Sequence, residues 1–119
     1  MGVNGVGGIF FRAKNPDVIK DWYAKHLGVG TGDWGVWHTA AGPSVFSPFA
    51  ADTDYFPADK QWMINLRVEE LDALLGALRN AGIDVITKDE WNDPSIGRFA
   101  RIHDPEGNPI ELWEPPNAG

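Results

Sequence analysis

The sequence contains the same pattern twice: a short apolar stretch is followed at once by an amphipathic helical stretch. Residues 9–13 parallel residues 64–68, and the helical stretches that follow end at Leu27-Gly28 and Ala81-Gly82. Further strand-like stretches come after each helix. An internal repeat predicts two similar units. Two such units paired edge to edge would form one curved sheet whose concave side is a cleft.

Apolar side chains spaced three and four residues apart predict helices over residues 16–27 and 69–80. The first helix has clear end signals. Asn15 is a typical N-cap residue and Pro16 a typical first helical residue. Gly28 suits the left-handed position after the last turn.

Seven stretches have the composition of strands: residues 8–13, 34–40, 44–50, 62–68, 85–87, 99–103 and 109–113. With the two helices, they predict an α+β fold of two βαβββ units in one domain over residues 1–119. The first unit covers about residues 7–50 and the second about residues 62–115. A proline-containing linker covers about residues 51–61. The expected sheet is curved and mixed, with an open cleft.

Composition excludes several classes of protein. The chain has no cysteine, so it carries no disulfide and no thiolate metal site. No apolar run approaches the roughly 20 residues that span a bilayer, and the first residues do not form a secretory signal. We therefore expect a cytoplasmic protein without a membrane partner. The net charge of −7 disfavours a nucleic-acid partner, because that affinity comes from cationic neutralisation of phosphates.

Aromatic residues are numerous: six Trp, six Phe and two Tyr make up 12% of the chain. Two interpretations stay open. The rings can pack a core, or they can line a pocket for a planar or apolar ligand. The candidate walls of such a pocket are Trp34, Trp37, Phe46, Phe49, Trp62, Trp91 and Phe99.

Two blocks of the sequence resemble the vicinal oxygen chelate superfamily, which includes glyoxalase I, extradiol dioxygenases and bleomycin-resistance proteins. They are residues 17–28, DVIKDWYAKHLG, and residues 104–114, DPEGNPIELWE. Residues 71–82 support the resemblance, which covers nearly the whole chain. It implies the glyoxalase-like fold but leaves the function open, because one fold carries many functions.

Metal-dependent members of this superfamily place four ligands on cavity-facing strands. The resemblance puts Gly8, Ser47 or one of its neighbours, Met63 and Glu111 at those positions. Glu111 alone is a usual ligand, whereas a divalent metal needs three or four such donors. The sequence therefore predicts no metal and no cofactor, and a divalent metal is kept only as the alternative.

Glu111 alternates with two apolar residues and so points to the other face of its strand. It is either an exposed carboxylate or, as the resemblance implies, a cleft residue suited to acid–base work or cation binding. Arg12 shares a strand face with Gly8 and either faces the cleft or pairs with Asp17 or Glu111. A buried Glu111 would need a partner, and Arg12, Asn65 or a tryptophan N–H could provide one. The three histidines are scattered, and His38 is the best placed of them.

The preferred function is metal-independent binding of an aromatic or cationic small molecule, similar to that of bleomycin-resistance proteins. The alternative is a lyase, isomerase or dioxygenase of the same superfamily that acts through a catalytic Glu111, with or without metal. Family members of this length usually build their clefts across a symmetric dimer, so we expect a homodimer. The candidate ligand-binding residues are Arg12, Trp34, His38, Ser47, Phe49, Met63, Asn65, Glu111 and Trp113.

Overall fold

A computed structural model describes residues 2–116 of the chain. Both predicted helices are present, α1 over Pro16–Leu27 and α2 over Leu71–Asn80. The Asn15 side chain accepts a hydrogen bond from the Val18 amide at 3.4 Å, and Gly28 follows the last turn of α1 with a φ of 66°. The end signals of α1 therefore act as the sequence predicts.

One sheet of four strands follows the βαβββ order in the second half of the chain. The strands are β1 (Ile64–Arg67), β2 (Asn92–Asp93), β3 (Gly97–His103) and β4 (Pro109–Glu114). The spatial order is β1-β4-β3-β2; β1 runs parallel to β4, and the other two pairs are antiparallel. The strand predicted over residues 85–87 is reduced to a single bridge between Ile86 and Arg101. The expected α+β class with an open mixed sheet is confirmed.

The two faces of the sheet have different environments. One face carries apolar side chains that pack against both helices in a single core. The buried residues of this core are Ile19, Tyr23, Leu66, Leu71, Leu75, Leu78, Ala100, Ile102, Ile110 and Leu112. The intervening residues of β1, β3 and β4 point to the other face, because side chains alternate along a strand. That second face holds the polar residues described below.

The first half of the chain differs from the prediction. Its helix α1 forms, but within residues 2–63 the structure has no strand ladder, and residues 8–13, 36–40 and 44–50 have no regular secondary structure. A strand needs a neighbouring edge to pair its backbone groups. The only ladder in the described chain is the second unit's sheet, and its register uses none of these segments. Their apolar side chains, such as Phe10 and Phe46, consequently lie exposed.

The turn between β3 and β4 attaches α1 to the second unit. Asp104 is buried and accepts hydrogen bonds from the Tyr23 hydroxyl at 2.8 Å, the Glu106 amide at 2.9 Å, and the Asn108 amide and side chain at 3.0 and 2.7 Å. The Glu106 carboxylate accepts from the backbone amides of Lys14 and Asn15 at 2.7 and 3.0 Å. This turn therefore both closes the hairpin and positions the start of α1.

Neither helix in the described part of the chain is long and apolar enough to cross a membrane.

Candidate functional site

Three polar residues form a row across the second face of the sheet. Asn65 on β1 lies beside Glu111 on β4, and Glu111 lies beside Arg101 on β3. Glu111 is 8% exposed and Arg101 is 6% exposed, so both charged groups are almost completely shielded from water. Burying a charge is costly unless it is paired or hydrogen-bonded. The partners of these two side chains therefore define the chemistry of the site.

Both oxygens of the Glu111 carboxylate have hydrogen-bond donors. The Tyr55 hydroxyl donates to Oε2 at 2.5 Å, and the Asn65 side-chain amide donates to Oε1 at 2.7 Å. Asn65 is one of the partners that the sequence predicts. Arg12, the charged candidate partner, is exposed and makes no ion pair with Glu111.

Tyr55 belongs to residues 52–60, which lie over the polar row and are called the cover segment here. The centroid of the Tyr55 ring is 5.6 Å from that of the Phe49 ring and 6.1 Å from that of the Trp91 ring. The Arg101 guanidinium carbon lies 4.9 Å from the Tyr55 ring and 5.8 Å from the Trp91 ring. A cation over an aromatic face is an attractive arrangement, especially when it is shielded from water. The site is therefore a charged row beneath aromatic rings.

Sequence reasoning did not identify Arg101 or Tyr55 as site residues. For Arg101 a signal exists, because the tight turn over residues 104–108 sets the register that places position 101 opposite Glu111. Two charged residues opposite each other on one face then predict a shared site. For Tyr55 no signal exists, since it lies in an irregular segment and residue spacing does not determine its contacts.

Burial and neighbouring charges shift two groups near the row. Burial, the hydrogen bond to Glu111 and the carboxylate's negative charge raise the pKa of Tyr55 to about 12, and Arg101 opposes this shift. Tyr55 is therefore a neutral donor at physiological pH. Burial and the positive charge of Arg101 lower the pKa of His103, which leaves its imidazole predominantly neutral at neutral pH.

Several predicted site residues lie away from this row. Trp34 is fully exposed in a short 3-10 turn over Asp33–Gly35, with a φ of 61°. Trp113 is buried on the same sheet face as Glu111, where its indole N–H donates to the Ile96 carbonyl at 3.0 Å and its ring stacks on Phe99. Phe49 contacts Tyr55, and Met63 is half-buried just before β1. The exposed residues of the first half that the structure does not bring to the row are Arg12, Trp34, His38 and Ser47.

The residues at the implied metal positions do not fit a divalent ion. Gly8 and Met63 offer no hard or borderline donor, and Glu111 already accepts two hydrogen bonds. Within residues 2–116 no group of three or more His, Cys, Asp or Glu side chains is arranged to hold a metal. Glu111 is therefore the one usual metal ligand among these four positions, and the donors to its two oxygens come from Tyr55 and Asn65.

The two tyrosines of the chain should ionise only at unusually high pH. Burial and the hydrogen bond to Asp104 raise the pKa of Tyr23 well above its ordinary value of 10.0, and Tyr55 is shifted in the same direction. The protonated tyrosines therefore stabilise the folded state. Their contribution is complete below the tyrosine pKa of the unfolded chain, near 10.0, and it is lost as the pH rises towards the pKa of the folded chain.

At a pH of about 11 we therefore expect little tyrosinate absorbance from the folded chain and strong absorbance from the urea-unfolded chain. Tyr55→Phe should remove the lower of the two ionisation steps. Ionisation of both tyrosines near their ordinary pKa in the folded chain would contradict the buried hydrogen bonds described here.

The fold is similar to solved structures of glyoxalase/bleomycin resistance proteins, and this similarity confirms the resemblance to the vicinal oxygen chelate superfamily. One neighbour is TnmS3, an antibiotic binding protein from Streptomyces sp. CB03234. It is 25% identical, with a TM-score of 0.61 over 97% of this chain and 98% of that chain. Another is a glyoxalase/bleomycin resistance protein from the same organism, 25% identical, with a TM-score of 0.51 over 85% of this chain and 92% of that chain. No protein-family model and no curated protein matches the sequence.

Proposed function

We propose that this chain is a metal-independent binding protein that holds an aromatic or cationic organic molecule on the second face of its sheet. The observation that carries the proposal is the pair of shielded charges, Glu111 and Arg101, beneath the rings of Tyr55 and Trp91, with the Asn65 amide bonded to Glu111. Ligand sites combine apolar and aromatic walls with a few oriented polar groups, as this row does. TnmS3, which has a similar fold, is an antibiotic binding protein, and this supports a small organic molecule as the ligand.

Two features support binding without a metal. The implied ligand positions lack a donor set, and the hydrogen bonds from Tyr55 and Asn65 satisfy the Glu111 carboxylate without an ion. A carboxylate held this way can accept a hydrogen bond from a ligand or attract a ligand cation. Glu111 is thus the recognition group of the proposed site.

Charge selectivity tests the role of Glu111. Glu111→Gln keeps an acceptor oxygen but removes the charge. It should therefore weaken the binding of a cationic naphthylmethylammonium probe by about 1–3 kcal/mol. The neutral naphthylmethanol probe should bind almost unchanged. Isothermal titration calorimetry of both probes provides the measurement, and Glu69→Gln, an exposed residue outside the site, is the control. Equal losses for both probes would mean that Glu111 shapes the pocket without reading charge.

We also propose that the chain acts as a homodimer, in which a second copy covers the apolar first half. Phe10, Phe46 and Trp62 are 94%, 92% and 75% exposed, and β1 lies at an edge of the sheet. Exposed apolar side chains on unpaired extended segments favour association, and a symmetric dimer lets each copy cover the other.

Analytical ultracentrifugation at micromolar concentration should give twice the 13.1 kDa chain mass. The interface should bury more than about 1,000 Å² in total. Phe10→Asp combined with Phe46→Asp should shift the chain towards the monomer, whereas the same change at exposed Val3 should have a smaller effect. A mass of 13.1 kDa for the unmodified chain would refute the dimer.

A further inference from the structure

One hydrogen-bond donor of the site, on the Arg101 guanidinium, lacks an acceptor within the described part of the chain. Both Glu111 oxygens have partners. One terminal nitrogen of Arg101 donates to the Tyr55 carbonyl at 2.9 Å, whereas its Nε is shielded and has no partner among residues 2–116. A buried polar atom without a partner is rare in native proteins and calls for an explanation. An acceptor oxygen from a ligand would provide one.

Tyr55 makes the contacts that a bound aromatic molecule would make. Its ring lies among the rings of Phe49 and Trp91 and the guanidinium of Arg101. Its hydroxyl donates to Glu111, and its carbonyl accepts from Arg101. One residue of the chain therefore uses the aromatic wall, the acceptor and the donor of the site at the same time.

The cover segment that carries Tyr55 is attached to the sheet only through side chains. Among residues 2–116, its backbone–backbone hydrogen bonds are local turns, from the Thr53 amide to Ala50 and from the Lys60 amide to Pro57. Besides the Tyr55 contacts, Lys60 Nζ donates to the Glu106 carbonyl at 3.2 Å. A cavity of about 570 Å³ lies between residues 52–58 and the side chains of Arg101 and His103. Segments with few backbone bonds to their surroundings open at low cost.

We propose that Tyr55 occupies the ligand's own position, and that the site takes an aryl molecule with a hydroxyl for Glu111 and a carbonyl-type oxygen for Arg101. Such a ligand replaces the Tyr55 ring and both of its polar contacts, and it reaches the unpartnered Arg101 nitrogen. Binding displaces the cover segment from the sheet. This inference rests on the proposed binding function, and it adds the chemical class of the ligand and the residue that competes with it.

The test uses hydroxynaphthamide, which carries both polar groups, together with naphthol, which lacks the carbonyl, and naphthamide, which lacks the hydroxyl. Tyr55→Ala removes the competing ring and should raise the affinity for hydroxynaphthamide about tenfold, as expected if the covered state is about 90% populated. Tyr55→Phe keeps the ring and should give a smaller rise. Calorimetry gives the affinities, and thermal unfolding shows that each variant is folded.

Arg101→Gln should lower the affinity for the two carbonyl probes about tenfold or more, because their carbonyl oxygen accepts from the guanidinium. The affinity for naphthol should stay almost unchanged. Arg98→Gln, on the same strand but paired with Asp72, is the matched control. Saturation with hydroxynaphthamide should also speed trypsin cleavage after Lys60, since the cover segment leaves the sheet.

The outcomes separate the two proposals. If the probes bind the unmodified chain and Tyr55→Ala equally well, with no change in cleavage after Lys60, the binding function stands and Tyr55 is a fixed wall. An equal effect of Arg101→Gln on all three probes would overturn the role of Arg101. If no probe binds any folded variant, both the binding function and this inference fail.

Discussion

Gly97→Ala should destabilise the fold by about 2–4 kcal/mol, because the new methyl group has no space and the backbone conformation is strained. Gly97 begins β3 with a φ of 121°, a value that residues with a side chain rarely adopt. A Cβ there would lie 2.3 Å from the Glu114 carbonyl oxygen and 2.8 Å from the Trp113 indole nitrogen. Relief of these contacts requires the β3–β4 pair to separate. Urea denaturation of both proteins measures the loss.

Gly76→Ala is the matched control, since Gly76 lies inside α2 and a Cβ there would meet no atom within 4 Å. Alanine is favoured over glycine in a helix, so this substitution should raise the free energy of unfolding by about 0.5–1 kcal/mol. Opposite signs for the two substitutions would trace the loss at Gly97 to local geometry. A Gly97→Ala chain as stable as the unmodified one would contradict the close approach of β3 and β4 at this point.

Asp104→Ala should lower the free energy of unfolding by about 3–5 kcal/mol, because the buried Asp104 carboxylate accepts four hydrogen bonds. Its removal leaves the buried Tyr23 hydroxyl without a partner and loosens the turn that positions α1. Tyr23→Phe should cost less, about 1–2 kcal/mol, since Asp104 then keeps three of its four donors.

The double variant separates these contributions. Once Asp104 is absent, Tyr23→Phe removes an unpaired hydroxyl, so it should cost little or should stabilise the chain. Asp72→Ala is the surface control and should have little effect, because Asp72 is exposed and surface ion pairs contribute little. Urea denaturation gives all four values. Simple additivity of Asp104→Ala and Tyr23→Phe would show that the two side chains do not depend on each other.

The helices could be predicted from the sequence because their signals are local. Asn15, Pro16 and Gly28 mark the ends of α1, and the structure places the helix over Pro16–Leu27 as expected. The strands of the second unit could also be predicted, since a tight turn and alternating side chains define β3 and β4. The absence of strands from the first half could not be predicted, because strand formation depends on a neighbouring edge that residues 8–13 and 44–50 do not find within residues 2–116.

The residues of the candidate site also differ in how far the sequence predicts them. Glu111 and Asn65 could be predicted as neighbours, since strand alternation and the resemblance place both on the open face. Arg101 follows from the hairpin register, although the residue types alone did not single it out. Tyr55 could not be predicted, because it lies in an irregular segment and its partner Glu111 is 56 positions away in the sequence.

The turn over residues 104–108 has a consequence for how the chain is made. The amides of Lys14 and Asn15 bond to Glu106, which comes about ninety positions later in the chain. During synthesis, the amides of Lys14 and Asn15 lack these partners until the turn over residues 104–108 has left the ribosome. Until then the core face of the first helix, with Ile19 and Tyr23, also lacks the sheet that covers it, and such transiently exposed apolar surface favours aggregation and chaperone binding.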